Sequence, residues 1–296
     1  MKQLKDLKGC GTALVTPFMR DGQIDFNALR KLVDYQIDGS IDFLVPCGTT
    51  GESATFTLEE HLQVVDAVVK QAAGRVPVIA GAGGNDTAKV IEMAKKVSDL
   101  GVDGLLSVTP YYNKPTQEGL YQHYKAISSA VSSPIIVYNV PGRTSTNILP
   151  DTVVRLSAID NIVGIKEASG NIGQIAELAA KIPDDFKILS GDDATTIPII
   201  SLGGVGLISV VSNQVPGKMS KMTHLCLEGK YSEARKIQRE LFNLMTLNFI
   251  ETNPTPVKAG LAMMGMMEEI YRLPLVKMKD SNKKLLENEL RNLKLI

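Results

Sequence analysis

Lys166 closes the apolar run Ile162-Val163-Gly164-Ile165 and is followed at once by Glu167-Ala168-Ser169-Gly170. Taking a charged lysine out of water is unfavourable, and the usual relief is loss of its proton. A neutral amine is a nucleophile, so the position suggests attack on a carbonyl carbon. At its reference pKa only about 1 lysine in 2,500 is neutral at pH 7, and enclosure by apolar neighbours such as Ile136, Ile165 and Ile208 is expected to lower that pKa. The product of attack is an iminium. Its positive nitrogen draws electrons from the adjacent carbon, lets a proton leave and generates an enamine nucleophile without any metal. An isolated strand-end lysine would ordinarily snorkel into solvent. The rest of the chain argues otherwise.

Other polar groups end other apolar runs: Gly48-Thr49-Thr50-Gly51-Glu52, Pro110-Tyr111-Tyr112-Asn113, Tyr138-Asn139-Val140-Pro141-Gly142-Arg143 and Gly191-Asp192-Asp193. Tyr138 can move protons near Lys166 if the two runs are neighbours, since adjacent strands lie about 4.8 Å apart. Alternation places Ile136 with Tyr138 on one face, and Ile162 and Gly164 with Lys166, with Gly164 leaving room beneath the lysine. Taken singly, each group has a plainer role. A Thr-Thr pair can satisfy a turn, an arginine after Pro-Gly can be solvated, and paired tyrosines can pack at an interface. All of them falling at one end of successive strands favours a common site.

The elements that would position these groups alternate along the chain. Short apolar runs occur at Thr12–Thr16, Phe43–Val45, Val76–Ala80, Gly104–Val108, Pro134–Tyr138, Ile162–Lys166, Phe186–Leu189 and Gly206–Val210, each a candidate buried parallel strand. Between them lie segments of helical period: Phe26–Asp38, Leu58–Ala73 with Leu62, Val65 and Val69 on one face, Thr87–Leu100 and Gln117–Ser132. Asp25, Thr57 and Asp86 are good N-caps, and Glu60 completes a capping box with Thr57. Eight such units predict a (β/α)8 TIM barrel, whose active site lies at the C-terminal ends of the strands. An open doubly wound sheet is the competitor, but the first run lacks a following GxGxxG and Gly81-Ala82-Gly83-Gly84 lacks dinucleotide spacing. The barrel is expected to span 1–228 and a C-terminal helical extension 229–296. The methionines at 263, 264, 266 and 267 read as packing material.

The chain has 296 residues, with 32 basic and 32 acidic side chains and no net charge. No basic patch suggests nucleic acid or an anionic membrane, and small ligands are expected. Neither a signal peptide nor a bilayer-length apolar stretch is evident, and Cys10, Cys47 and Cys226 lack CxxC spacing, which fits a reducing cytoplasm. His61, His123 and His224 lie on separate helices without ligand spacing, so no metal site is expected. Asp192 and Asp193 read as readily as capping groups as cation ligands.

Gly48-Thr49-Thr50-Gly51-Glu52-Ser53, Tyr138-Asn139-Val140-Pro141-Gly142-Arg143-Thr144 and Gly164-Ile165-Lys166-Glu167-Ala168-Ser169 together resemble the signatures of the dihydrodipicolinate synthase family of pyruvate-dependent class I aldolases. The resemblance runs essentially from end to end. It implies a lyase in which Lys166 forms a Schiff base with pyruvate, without other cofactor, and the enamine adds to L-aspartate 4-semialdehyde on the diaminopimelate route to lysine. Tyr138 would be the acid/base, linked to Thr49 and to Tyr112, the latter reaching the site from a neighbouring subunit. Thr50 and the backbone at Ile208 would hold pyruvate, Gly191 would line the pocket, and Arg143 would bind the semialdehyde carboxylate. A homotetramer built as a dimer of dimers is implied. N-acetylneuraminate lyase or another sugar-acid aldolase is the nearest alternative within the superfamily, and a non-catalytic keto-acid sensor the alternative outside it. Ser53, Ala54, His61, Asn85 and Tyr111 match the family's lysine effector site, whereas Leu58 replaces a histidine and Lys89 a glutamate. Weak or absent inhibition by lysine follows from those departures.

Overall fold

Three side chains start helices as their chemistry requires. Asp25 accepts from the amides of Asn27 and Ala28 ahead of the helix Phe26–Asp38, and Asp86 does the same ahead of Thr87–Ser98. Thr57 and Glu60 form the reciprocal capping box of Leu58–Ala72. The buried face of that last helix is Val64, Val65 and Val68, with Leu62 and Val69 only half-buried at its edge.

The computed structural model describes residues 4–296. Eight strands, β1 (Gly9–Ala13), β2 (Phe43–Val45), β3 (Ile79–Gly81), β4 (Gly104–Val108), β5 (Ile135–Asn139), β6 (Ile162–Glu167), β7 (Lys187–Ser190) and β8 (Gly206–Ser209), alternate with helices. Their order is β2-β1-β8-β7-β6-β5-β4-β3, and every pair is parallel. A parallel bridge between Leu44 and Val78 closes β2 onto the chain entering β3, giving the expected (β/α)8 barrel. Two strands lie away from their expected ranges. β1 begins at Gly9 rather than Thr12, because glycine carries no strand signal although Gly9-Cys10-Gly11 is buried. β3 begins at Ile79 rather than Val76, beyond Pro77, which has no N–H to give to a ladder.

The barrel interior is filled by Phe43, Val45, Ile79, Leu106, Ile136, Leu189 and Ile208, while Ile135, Val137, Ile165 and Ile188 join the larger core beneath the helices. Between β5 and β6 the register slips, so that Ile135 faces Ile162 but Ile136 faces Gly164. This irregularity overturns simple alternation along β6. Ile162 belongs to the outer core and Val163 packs on the inner one. Beyond the slip the ladder is regular and sets Tyr138 directly beside Lys166.

After the helix Pro216–Leu227 the chain forms helices Tyr231–Leu247, Thr255–Met263 and Asp280–Asn292. Leu241, Leu244, Met245, Leu286 and Leu290 share the barrel's outer core, so this extension is packed on and not merely appended. Met264, Met266 and Met267 lie against Val257, Leu261 and Val210, as packing material would. Among the described residues no helix is long and apolar enough to cross a membrane.

Candidate active site

The ends of β5 and β6 place Tyr138 and Lys166 side by side, with the lysine Nζ 4.2 Å from the centroid of the tyrosine ring. Lys166 is only 5% exposed. Burial pulls its pKa down from 10.5 to about 7, with Asp193 opposing the shift and Arg143 reinforcing it. Burial likewise pushes the Tyr138 phenol up to about 12, so at neutral pH it holds its proton and is ready to donate it. Arg143 and the hydroxyl of Thr49 act on the phenol in the opposite sense. The apolar groups that line the lysine's chamber include Ala13, Val45, Leu106, Val140, Ala168 and Val210, whereas of the expected neighbours Ile136 and Ile208 lie in the inner cluster below and Ile165 faces the helices.

Room for the amine comes from Gly191 and not from Gly164. A Cβ at Gly191 would lie 3.1 Å from Lys166 Cε and 2.7 Å from Ala168 Cβ. A Cβ at Gly164 would instead meet the Lys187 carbonyl oxygen at 2.6 Å, so that glycine serves the approach of β7.

Lys166, Tyr138, Thr49, Thr50, Arg143 and Gly191 line one chamber of about 140 Å³ at the C-terminal mouth of the barrel. Thr49 and Thr50 sit in a single 3-10 turn, Thr49–Gly51, which ends on Glu52 in the left-handed region at φ 56°. Arg143 belongs to the short helix Pro141–Thr144 and is exposed toward the mouth. Ile208 is wholly buried one layer below, in the inner cluster, and Val210 lines the chamber instead. Tyr112 is not brought to the site by its own chain. It is 88% exposed and left-handed, with φ 72°.

A second cavity of about 400 Å³ adjoins the chamber through Gly48, Thr49, Tyr138 and Arg143. Ser53, Ala54, His61 and Tyr111 line it, together with Cys47 and Met93. Asn85 stands at its edge, where its amide donates to the Tyr111 carbonyl. Lys89 is exposed and lies outside the lining.

Asp193 fills a role that sequence left open. Its buried carboxylate accepts from Ser209 Oγ at 2.5 Å and from the amides of Val210 and Val211, thereby fixing the turn that leaves β8. Burial raises its pKa to about 6 despite those donors. Asp192 accepts from the amide of Ala194 and borders the chamber. The three histidines are engaged separately, with the Gly81 carbonyl, Thr87 and Asp42. Among the described residues no cluster of three or more acidic, histidine or cysteine side chains is arranged to hold a metal.

Sequence reasoning missed Asn253 and Phe249, which line the chamber from the C-terminal extension. Neither ends a strand, and an Asn-Pro pair between helices reads as a turn. It also missed Glu167, whose buried carboxylate accepts from Asn139 Nδ2 and the Ser169 amide behind the lysine.

This barrel carries a buried amine at its polar mouth, and the chain is an enzyme of the lyase class. The family model described as Dihydrodipicolinate synthetase family matches residues 6–293. The chain is 54% identical over 282 residues to the 4-hydroxy-tetrahydrodipicolinate synthase of Koribacter versatilis, covering 95% of this chain and 94% of that one. It is 50% identical to the synthase of Chloroherpeton thalassium, over 99% of this chain and 98% of the relative. The solved dihydrodipicolinate synthase of Aquifex aeolicus superposes with a TM-score of 0.96 at 43% identity, covering 98% of this chain and 99% of that one. The chain belongs to the dihydrodipicolinate synthetase family.

Proposed function

We propose that this enzyme condenses pyruvate with L-aspartate 4-semialdehyde to give 4-hydroxy-tetrahydrodipicolinate. The observation that carries the mechanism is the buried Lys166 amine, drawn down to about 7 and set against Tyr138. The neutral amine attacks C2 of pyruvate, and a carbinolamine forms as Tyr138 delivers a proton to the oxygen. Loss of water yields the iminium. A proton then leaves C3, and the resulting enamine carbon bonds to the aldehyde carbon, whose oxygen takes up a proton. The substrate's own amine attacks C2, closes the ring and expels Lys166, which regains its free form. Thr50 and the backbone near Ile208 hold the pyruvate carboxylate, Thr49 links to Tyr138, and Arg143 offers its guanidinium to the semialdehyde carboxylate. No further cofactor takes part.

Tyr112 completes the hydroxyl relay from a neighbouring subunit, in a homotetramer assembled as a dimer of dimers, and the enzyme works in the cytoplasm. The exposure of Tyr112 in its own chain supports that arrangement. A polyhydroxylated sugar acid would call for more hydroxyl-binding groups than the short segment around Arg143 offers.

Incubation with pyruvate, reduction with borohydride and mass mapping of the digest should place the adduct on Lys166. An unmodified Lys166 peptide after complete reduction would refute the mechanism. The trapping rate is expected to rise between pH 6 and 8 with a half-point near the lysine's pKa of about 7, because the amine is protonated and unreactive below it. A flat profile over that range would contradict the assignment.

Inhibition by lysine is expected to be weak or absent. An exposed ammonium at Lys89, beside the cavity but outside its lining, disfavours an effector amine by at most about 1 kcal/mol where an acid would attract it. Half-maximal inhibition at micromolar lysine in an initial-rate assay would show this to be wrong.

A further inference from the structure

The link between the helices Tyr231–Leu247 and Thr255–Met263 reaches back over the barrel mouth and brings Asn253, 4% exposed, against two different loops. Its Nδ2 donates to Thr50 Oγ1 at 3.0 Å, in the turn after β2. Its backbone carbonyl accepts from Arg143 Nη2 at 3.2 Å, in the helix after β5. One residue thus joins the hydroxyl and the guanidinium at the chamber's rim. Two residues beyond Thr50, Glu52 forms a fully buried ion pair with Lys258, which ties the same loop to the same extension.

The direction of the Thr50 bond matters. An amide nitrogen can only donate, so the threonine oxygen acts as acceptor and its own hydrogen remains available to an acceptor in the chamber. A carboxylate is such an acceptor. The carbonyl of Asn253 in turn occupies one donor of an otherwise exposed arginine, leaving the rest of the guanidinium fork for a second carboxylate. Asn253 Oδ1 is buried without a hydrogen-bond partner.

We propose that Asn253 is a positioning residue that presets Thr50 as a donor and restrains Arg143, so that the C-terminal extension completes the carboxylate-binding side of the site. The inference rests on the assignment of the chamber to a keto acid. It is tested in the full-length enzyme with Asn253→Ala and Asn253→Asp, by titrating pyruvate in the borohydride trapping assay and following thermal melting in parallel. Loss of a hydrogen bond that serves a charged ligand should raise half-saturating pyruvate about 10-fold in the alanine variant. The aspartate variant should be worse, because a carboxylate accepts the Thr50 proton and repels the ligand. The pH half-point of trapping should stay near that of the wild type. Asn253→Ala in a Thr50→Val background should add little, since the bond is already lost.

Wild-type half-saturation in either folded variant, or full additivity with Thr50→Val, would overturn the proposal. If Asn253→Ala does not fold, the near-isosteric Asn253→Asp decides alone. Failure of the wild type to trap pyruvate would refute the keto-acid assignment and this inference together, whereas normal trapping with unaltered variants would refute only the inference.

Discussion

Replacing Lys166 by methionine is expected to abolish turnover and at the same time make the protein more stable. Removing a covalent nucleophile should lower kcat by at least about 10⁴-fold, with no adduct after borohydride reduction. The gain in stability follows from the same burial that activates the amine. In the folded protein the lysine titrates near 7, and in the unfolded chain near 10.5. Between those values the unfolded chain binds the extra proton, so the wild type gains stability as pH rises through that window. Below pH 7 the full penalty is present, and a depression of this size corresponds to a few kcal/mol. Methionine fills a similar volume without a charge. The melting temperature of Lys166→Met should therefore exceed that of the wild type most at pH 6 and approach it as the pH nears 10. A lower melting temperature at pH 6 would mean that the lysine is held by favourable charge contacts and is not a desolvated nucleophile.

The second large effect concerns Glu52 and Lys258, both side chains wholly excluded from solvent and paired at 2.5 Å. The ammonium also lies 4.2 Å from the centroid of the Phe18 ring, and Glu52 accepts from the Arg272 amide. Removing one partner leaves an uncompensated charge in the interior. Lys258→Met should thus lose about 3–5 kcal/mol. Neutralising both, in Glu52→Gln with Lys258→Met, should recover much of that loss, because an uncharged amide can still accept from Arg272. Denaturant midpoints for the two variants give the comparison. A double variant as unstable as Lys258→Met would show that the residues act by shape and not by charge.

Much of this architecture was legible because the residues concerned speak for themselves. The caps at Asp25, Thr57 and Asp86 begin helices where expected, and β2 and β4 match their apolar runs. Lys166 and Tyr138 stood out as polar groups closing apolar strands, and the ladder sets them opposite each other. What escaped has physical reasons. β1 hides in glycines whose lack of side chains is what the packing requires, and the slip between β5 and β6 depends on pairing between strands, which one strand's pattern cannot carry. Asn253 acts through a contact spanning 203 positions to Thr50, and nothing local marks it. Tyr112 lies outside the chamber its own chain forms and is 88% exposed, so no strand pattern could place it at the site.

The close approach at Gly191 bears on how this barrel can change over time. Lys166 Cε lies where a single methyl group on residue 191 would crowd it, and the opposite flank of that position is already taken by Ala168. The Lys166 side chain and the loop after β7 are therefore mutually fitted, and neither can be enlarged independently. New substrate preferences must come from the wider rim, where the exposed Arg143 and Phe249 border the chamber. The floor around the amine is closed to variation, and the mouth is where descendants of this fold can diverge.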